Sequence, residues 1–206
     1  MKKKREPRFR ILNASVYLLA RNSYHSVGVR EIAEKANVNI SMISYYFGGK
    51  SGIMRDIVEA FYNLYIKAVE TSILEEETGE QSIRRLFKNM VNMFREYTDL
   101  CMIGFGELPN DVEEVKELKK NKIKQLNEVG NRMSMKFDVN MTDNPQLAHI
   151  IGPAMMSMLF SHFAHKSTIK QVYAIEFDDQ YYNDYTEVLS ILFLEGINGL
   201  KNYKKV

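Results

Sequence analysis

Ile11, Leu12, Leu18 and Leu19 recur at helical spacing between Phe9 and Asn22, and the polar stretch Ser23 to Gly28 breaks that period. Val29, Ile32, Ala33 and Ala36 then fall at i, i+3, i+4 and i+7. A short second helix therefore buries four small or branched groups and leaves Arg30, Glu31, Glu34 and Lys35 in water. Asn37 suits the left-handed residue that ends a helix, and Asn39 suits the cap that begins the next. The third helix, Ile40 to Phe47, has only Ile43 and Phe47 as an inner stripe, which leaves Ile40, Ser41, Met42, Ser44, Tyr45 and Tyr46 for other faces. Gly48 and Gly49 stop it. Lys50 opens a fourth helix expected to run to about Glu77, with its first amides placed to face a phosphate. Two short helices joined by a three-residue turn form the helix-turn-helix arrangement, whose second helix enters the major groove of DNA.

Beyond the fourth helix no run shows the sustained alternation of a strand, so the fold class expected is all-α. Helices are expected over 81–97, 100–108, 111–137, 145–165 and 184–203. Residues 167–182, with Tyr173, Phe177, Tyr181 and Tyr182 among acids, read as a loop with a short helical turn at most.

Charge changes the picture of the first helices. The net charge of the 206 residues is +2, yet residues 1–50 hold ten Lys/Arg against three acids, a net of +7, so the remainder carries −5. A basic head on an acidic body points to a polyanion, nucleic acid first. With 45% apolar and 26% charged residues the chain is a folded one, too short for a large multidomain enzyme. Lys2 to Arg5 ahead of Ile11 to Ala20 imitates a signal peptide, but Asn13, Ser15 and Tyr17 interrupt the run and no small-residue cleavage pattern follows. The apolar stretch Ile150 to Ala164 contains Gly152, Pro153 and His162 and falls short of the roughly 18 to 20 residues that span a bilayer. A single cysteine, Cys101, rules out an internal disulfide. The expected location is a reducing cytoplasm, with no membrane partner.

From Arg8 to Val58 the chain resembles the DNA-binding domain of the TetR family of bacterial transcriptional regulators. The resemblance rests on Val29-Arg30-Glu31-Ile32-Ala33-Glu34-Lys35-Ala36-Asn37-Val38 and on Ile43-Ser44-Tyr45-Tyr46-Phe47-Gly48-Gly49-Lys50. It implies that Lys50 and Tyr46 bind phosphates, while Arg30, Ile40, Ser41, Ser44 and Tyr45 lie on or near base edges; Met42 completes the expected DNA set. Val27 and Gly28 stand where the family often has Thr or Ser, which removes a hydroxyl contact. Ile40 and Met42 stand where polar residues are common, which favours thymine methyls over hydrogen bonds. The basic tail Lys2 to Arg5 is a further candidate for phosphate contact.

The resemblance further implies a two-part protein, a helix-turn-helix DNA-binding domain over 1–50 and a helical effector-binding and dimerisation domain over 51–206. The function implied is a transcriptional regulator, a homodimeric repressor released from double-stranded operator DNA by a small apolar or aromatic effector. An effector-independent DNA-binding protein and a helical enzyme are the other classes, the second without a convergent acid, base or metal site in the sequence; no cofactor is expected. Methionine suits walls that repack around apolar ligands, so a pocket is expected from Met93, Tyr97, Met102, Phe105, Met133, Phe137, Met155, Met156 and Phe160. His162 and His165, at i and i+3, with His149 invite a metal reading, but no carboxylates stand nearby at ligand spacing. The dimer face is expected on the last two long helices, through Ile150, Met155, Leu159, Val188, Leu192 and Ile197.

Overall fold

The computed structural model describes residues 6–106, 109 and 111–199. Among them lie nine helices and no strand, as the pattern requires. They are α1 (Pro7–Leu19), α2 (Val29–Ala36), α3 (Ser41–Phe47), α4 (Lys50–Glu70), α5 (Gly79–Glu96), α6 (Thr98–Phe105), α7 (Glu113–Met135), α8 (Pro145–Tyr173) and α9 (Asp179–Gly199). The tail Lys2 to Arg5, Leu108, and the side chain of Ile197 lie outside the described residues.

Two compact units form. The first comprises 1–63 with 97–122, and the second comprises 64–96 with 123–206. By compactness the head therefore extends past Lys50, taking in the first two-thirds of α4 and all of α6. Its core joins Ile11 and Leu18 of α1, Ile32 of α2, Ile43 of α3, Ile53 and Ile57 of α4, and Cys101 of α6. Phe61 of α4 packs edge-on against Phe105 of α6 at 4.7 Å between ring centroids. The chain comes close enough there that a Cβ on Gly104 would lie 2.2 Å from the Phe61 ring.

In the second unit α5 packs against α9 and α8. Phe87, Met90 and Phe94 of α5 are fully buried, as is Leu159 of α8. Several boundaries differ from expectation, and three of them show local chemistry at the change. The fourth helix ends at Glu70 and not Glu77, and there the Thr71 and Ser72 hydroxyls bond back to the carbonyls of Lys67 and Ala68. Asn89 of α5 also donates to Ala68 O at 3.2 Å. Helix α5 starts at Gly79, two residues early, because Thr78 and Gln81 cap it reciprocally: Gln81 Oε1 accepts the Thr78 N–H and Thr78 Oγ1 accepts the Gln81 N–H.

The third difference is the largest. Residues read as a loop over 167–182 are mostly helical: α8 continues to Tyr173, where Ala174 closes it in the left-handed conformation at φ 51°. Helix α9 then begins at Asp179, capped by the Asp178 carboxylate accepting the Tyr181 N–H. At 29 residues α8 is long and apolar enough to cross a membrane by length and composition alone. Leu147, Met155, Met156, Leu159, His162 and Phe163 on it are buried within the chain. Met155 and Leu159 therefore belong to the interior and not to the exposed face expected of them, whereas Ile150, Val188 and Leu192 are exposed.

Candidate nucleic-acid interface

The three residues that shape the turn between α2 and α3 behave as their chemistry dictates. Asn37 adopts the left-handed conformation at φ 52°, and the Val38 N–H reaches back to Ala33 O at 3.0 Å. Asn39 Oδ1 accepts both the Ser41 N–H at 2.9 Å and the Ser41 hydroxyl at 2.8 Å, so the third helix is capped two residues before its first full turn. Arg10 of α1 straps this turn from outside, its Nη1 donating to Ala36 O and Asn37 O at 3.0 and 2.8 Å. The orientation of α3 is thus set by backbone geometry and one guanidinium.

Helix α3 divides its side chains sharply. Ile43 and Phe47 are buried, while Tyr45 is 82% exposed, Ile40 43% and Tyr46 36%. Ser41 and Ser44 are exposed and Met42 is half-buried. The Tyr45 and Tyr46 rings meet edge to face at 4.9 Å between centroids, so each restrains the other. Gly48 (φ 71°) and Gly49 (φ 132°) make the turn into α4 with torsions that side chains other than glycine rarely adopt. Gly52 closes it: a Cβ there would sit 1.7 Å from the Phe47 carbonyl oxygen. The sequence reading passed over Gly52, whose only signal is its place in the first turn of α4.

Lys50 begins α4, half-buried, with its ammonium 4.2 Å from the Tyr24 ring centroid. Burial lowers its pKa from the ordinary value and the Asp111 carboxylate partly restores it, so this lysine faces an acid of its own chain. Asp111 also lies 3.7 Å from His25 Nε2.

Not every base of the head is available to a polyanion. Arg8 pairs with Asp56 at 2.6 Å, Arg21 pairs with Asp99 at 2.8 Å, and Arg21 and Lys35 both lie against the Tyr17 ring. Arg30 is exposed and has no ion-pair partner among the described residues. Val27 is fully buried, and Gly28 precedes α2 in an extended conformation with no side-chain cap. The expected DNA set of Arg30, Ile40, Ser41, Met42, Ser44, Tyr45, Tyr46 and Lys50 therefore lies within one compact unit, on α2, α3 and the start of α4.

The expected pocket residues do not fall in one unit. Met93, Met133, Phe137, Met155 and Met156 are buried in the second unit, and Phe160 is half-buried there. Tyr97, which is 39% exposed, belongs to the first unit with the half-buried Met102 and Phe105. His162 is buried among aromatic rings while His149 and His165 are exposed, so the three do not converge; no group of three metal-ligating side chains occurs among the described residues. Burial pushes the Cys101 thiol up to about 12, which keeps it protonated.

Residues 11–57 match the family profile described as "Bacterial regulatory proteins, tetR family". Among curated proteins the chain is 32% identical over 112 residues to the "Probable HTH-type transcriptional regulator YttP" of Bacillus subtilis, covering 53% of this chain and 54% of that one. The chain thus spans about half the length of the curated relatives it matches. Among solved structures, a TetR-like transcriptional regulator from Rhodococcus sp. RHA1 superposes with a TM-score of 0.69 at 14% identity, covering 94% of this chain and 96% of that one. The transcriptional regulator FadR from Bacillus subtilis, solved in complex with stearoyl-CoA, superposes at 0.57 with 18% identity, covering 91% and 98%.

Proposed function

We propose that this chain, which belongs to the TetR family of bacterial regulatory proteins, is a homodimeric transcriptional repressor that reads double-stranded operator DNA with α3 and leaves it when a small apolar or aromatic effector binds. The observation that carries the DNA reading is the partition of α3. Two side chains hold it in the core, and the rest, with Lys50 at the next helix start, form an outward face of hydroxyl, apolar and cationic groups. Tyr46 and Lys50 take phosphates, which fix register, and Arg30, Ile40, Ser41, Met42, Ser44 and Tyr45 address base edges. A reading helix of seven residues touches few bases. Two copies related by a two-fold axis read two half-sites about 34 to 36 Å apart and supply the missing specificity.

Exposed apolar side chains support pairing through the last two helices. Ile150 and Val172 on α8, and Val188, Ile191 and Leu192 on α9, all stand in water in a single copy. In functional terms, 1–50 reads DNA and 51–206 dimerises and takes the effector. The sulfur and aromatic groups Met93, Met133, Phe137, Met155, Met156 and Phe160 of the second unit supply deformable apolar walls. A structural neighbour solved with stearoyl-CoA supports an effector with a long apolar part. No reaction is assigned to the chain, and the reading places it in the bacterial cytoplasm with its operator. Effector and DNA oppose each other reciprocally, typically by about 1 to 3 kcal/mol.

Titrating a bound operator duplex with fatty-acyl thioesters and aromatic compounds, read by fluorescence anisotropy, tests this directly. The wild-type protein should release the duplex, and Met155→Phe should retain operator binding and lose the response. A panel that moves neither the anisotropy nor the melting temperature removes the effector from the account and leaves a constitutive DNA-binding protein.

A further inference from the structure

Helices α5 and α9 enclose a groove of about 450 Å³, within the range of small-molecule sites. Its character is opposite to that of the Met and Phe cluster. Along α5, Arg84, Lys88 and Arg95 stand at i, i+4 and i+11, which places three cations on one stripe, and Arg85 joins them at the edge. Glu77 and Glu187 are the acids in the lining, and Glu80 and Asp179 stand against its arginines from outside it, so the arginines are balanced by acids and Lys88 is the cation left for a ligand.

Arg84 and Arg95 are held by exposed partners that a better anion can displace, Arg84 by Glu80 and Glu187 and Arg95 by Asp179, whereas Arg85 at the edge is held by both oxygens of the half-buried Glu77. Exposed pairs contribute little, and planar guanidinium groups exchange a carboxylate for a phosphate with their fork geometry intact. Lys88 is exposed and has no ion-pair partner among the described residues.

A second, independent feature marks the floor. Tyr182 is 3% exposed and lines the groove, and its hydroxyl is buried without a hydrogen-bond partner. Its ring is fixed by the Phe163 ring, nearly parallel at 6.0 Å, and by the Arg95 guanidinium at 4.4 Å. A buried phenol is normally paired, because an unmade hydrogen bond costs about 1 to 3 kcal/mol. By contrast the neighbouring Thr186 and Ser190 hydroxyls are satisfied by carbonyls of their own helix.

We propose that the α5–α9 groove binds a small phosphate monoester, with Arg84, Lys88 and Arg95 on the phosphate and the Tyr182 hydroxyl bonded to a polar group of the ligand. Lys88 with the displaceable Arg84 and Arg95 suits a dianion better than a single carboxylate, and Gln81, Asn92 and Asn183 around them suit a hydroxyl-bearing organic part. None of these side chains is among those assigned to the apolar effector, so the site stands or falls independently of that reading.

Isothermal titration of the full-length protein at fixed ionic strength tests it with three probes: glucose 6-phosphate, adenosine 5′-monophosphate and phosphoenolpyruvate. Glucose and adenosine serve as uncharged controls and sulfate as the simple anion. At least one phosphate ester should bind saturably, one per chain and at least tenfold tighter than sulfate, and its unphosphorylated parent should not bind. Lys88→Gln, an exposed change, should weaken that ester about tenfold. Tyr182→Phe should weaken it several-fold with an unchanged circular dichroism spectrum, and Met155→Phe should leave it unaltered. Binding no tighter than sulfate for all three esters, or full affinity in Lys88→Gln, overturns the site.

Discussion

The Lys50 ammonium lies 4.2 Å from the centroid of the Tyr24 ring, so the cation assigned to the DNA backbone rests on an aromatic face supplied by the loop before α2. The ring holds the long side chain at the start of α4 without neutralising it. Lys50→Ala should therefore weaken binding to all duplex sequences alike and lower the salt dependence by about one phosphate contact, measured as the slope of log affinity against log salt. Asp111, which acts electrostatically on Lys50, opposes an incoming phosphate. Asp111→Asn should tighten binding uniformly by a few-fold, and a loss of affinity in this variant would show that the acid instead positions the lysine.

Gly52 should be intolerant of any side chain. Its Cβ would lie 1.7 Å from Phe47 O, and backbone cannot step aside as a flexible side chain does. Gly52→Ala should cost roughly 2 to 4 kcal/mol in urea unfolding, comparable to overpacking and strain in a well-packed core, and should loosen α3 first. Full stability and full operator affinity in the variant would mean that the α3–α4 turn relaxes freely.

Neighbouring residues of α3 should separate stability from recognition. Tyr45, 82% exposed, should be replaceable by Ala within about 0.5 kcal/mol of stability but with at least a tenfold loss of operator affinity. Ile43→Ala should instead cost roughly 2 to 5 kcal/mol through the cavity it leaves. Thermal melts with and without operator distinguish the two patterns.

The turns on either side of α3 were legible in the sequence because their causes are local. Asn37, Asn39, Gly48 and Gly49 act through their own backbone preferences and side chains within a few residues. What was not legible depends on partners far along the chain. Counting Arg8 and Arg10 as a basic surface misses that one is paired with Asp56 and the other clamps Ala36 and Asn37. The continuation of α8 through Ser167 to Tyr173 was missed because the segment is polar and exposed, yet it holds no Gly or Pro to stop a helix already formed. The groove between α5 and α9 joins residues about a hundred positions apart, and its start was further obscured by the Thr78–Gln81 capping box.

Burial pushes the His162 imidazole down from 6.5 to about 4, with the Lys166 charge acting in the same direction. The unfolded chain therefore takes up this proton more readily than the folded one. Stability from His162 is complete above about pH 6.5, falls as the pH drops toward 4, and is lost below that, a change of at most about 3 kcal/mol. Urea midpoints between pH 4.5 and 6.5 should slope less steeply in His162→Gln than in the wild type. Equal slopes would place the acid sensitivity in other groups.

The central claim is that two copies of this chain read DNA through α3. In vitro selection of the full-length protein on a randomised duplex library, followed by sequencing, addresses it most directly. The account predicts an inverted repeat whose half-sites are centred about one helical turn or a multiple of it apart. In that repeat, Ser44→Ala or Ile40→Ala should change the preferred base at one position per half-site, and Lys50→Ala should change none. Enrichment of no sequence, or of a single half-site with the same preference in the Ser44 and Ile40 variants, would contradict it.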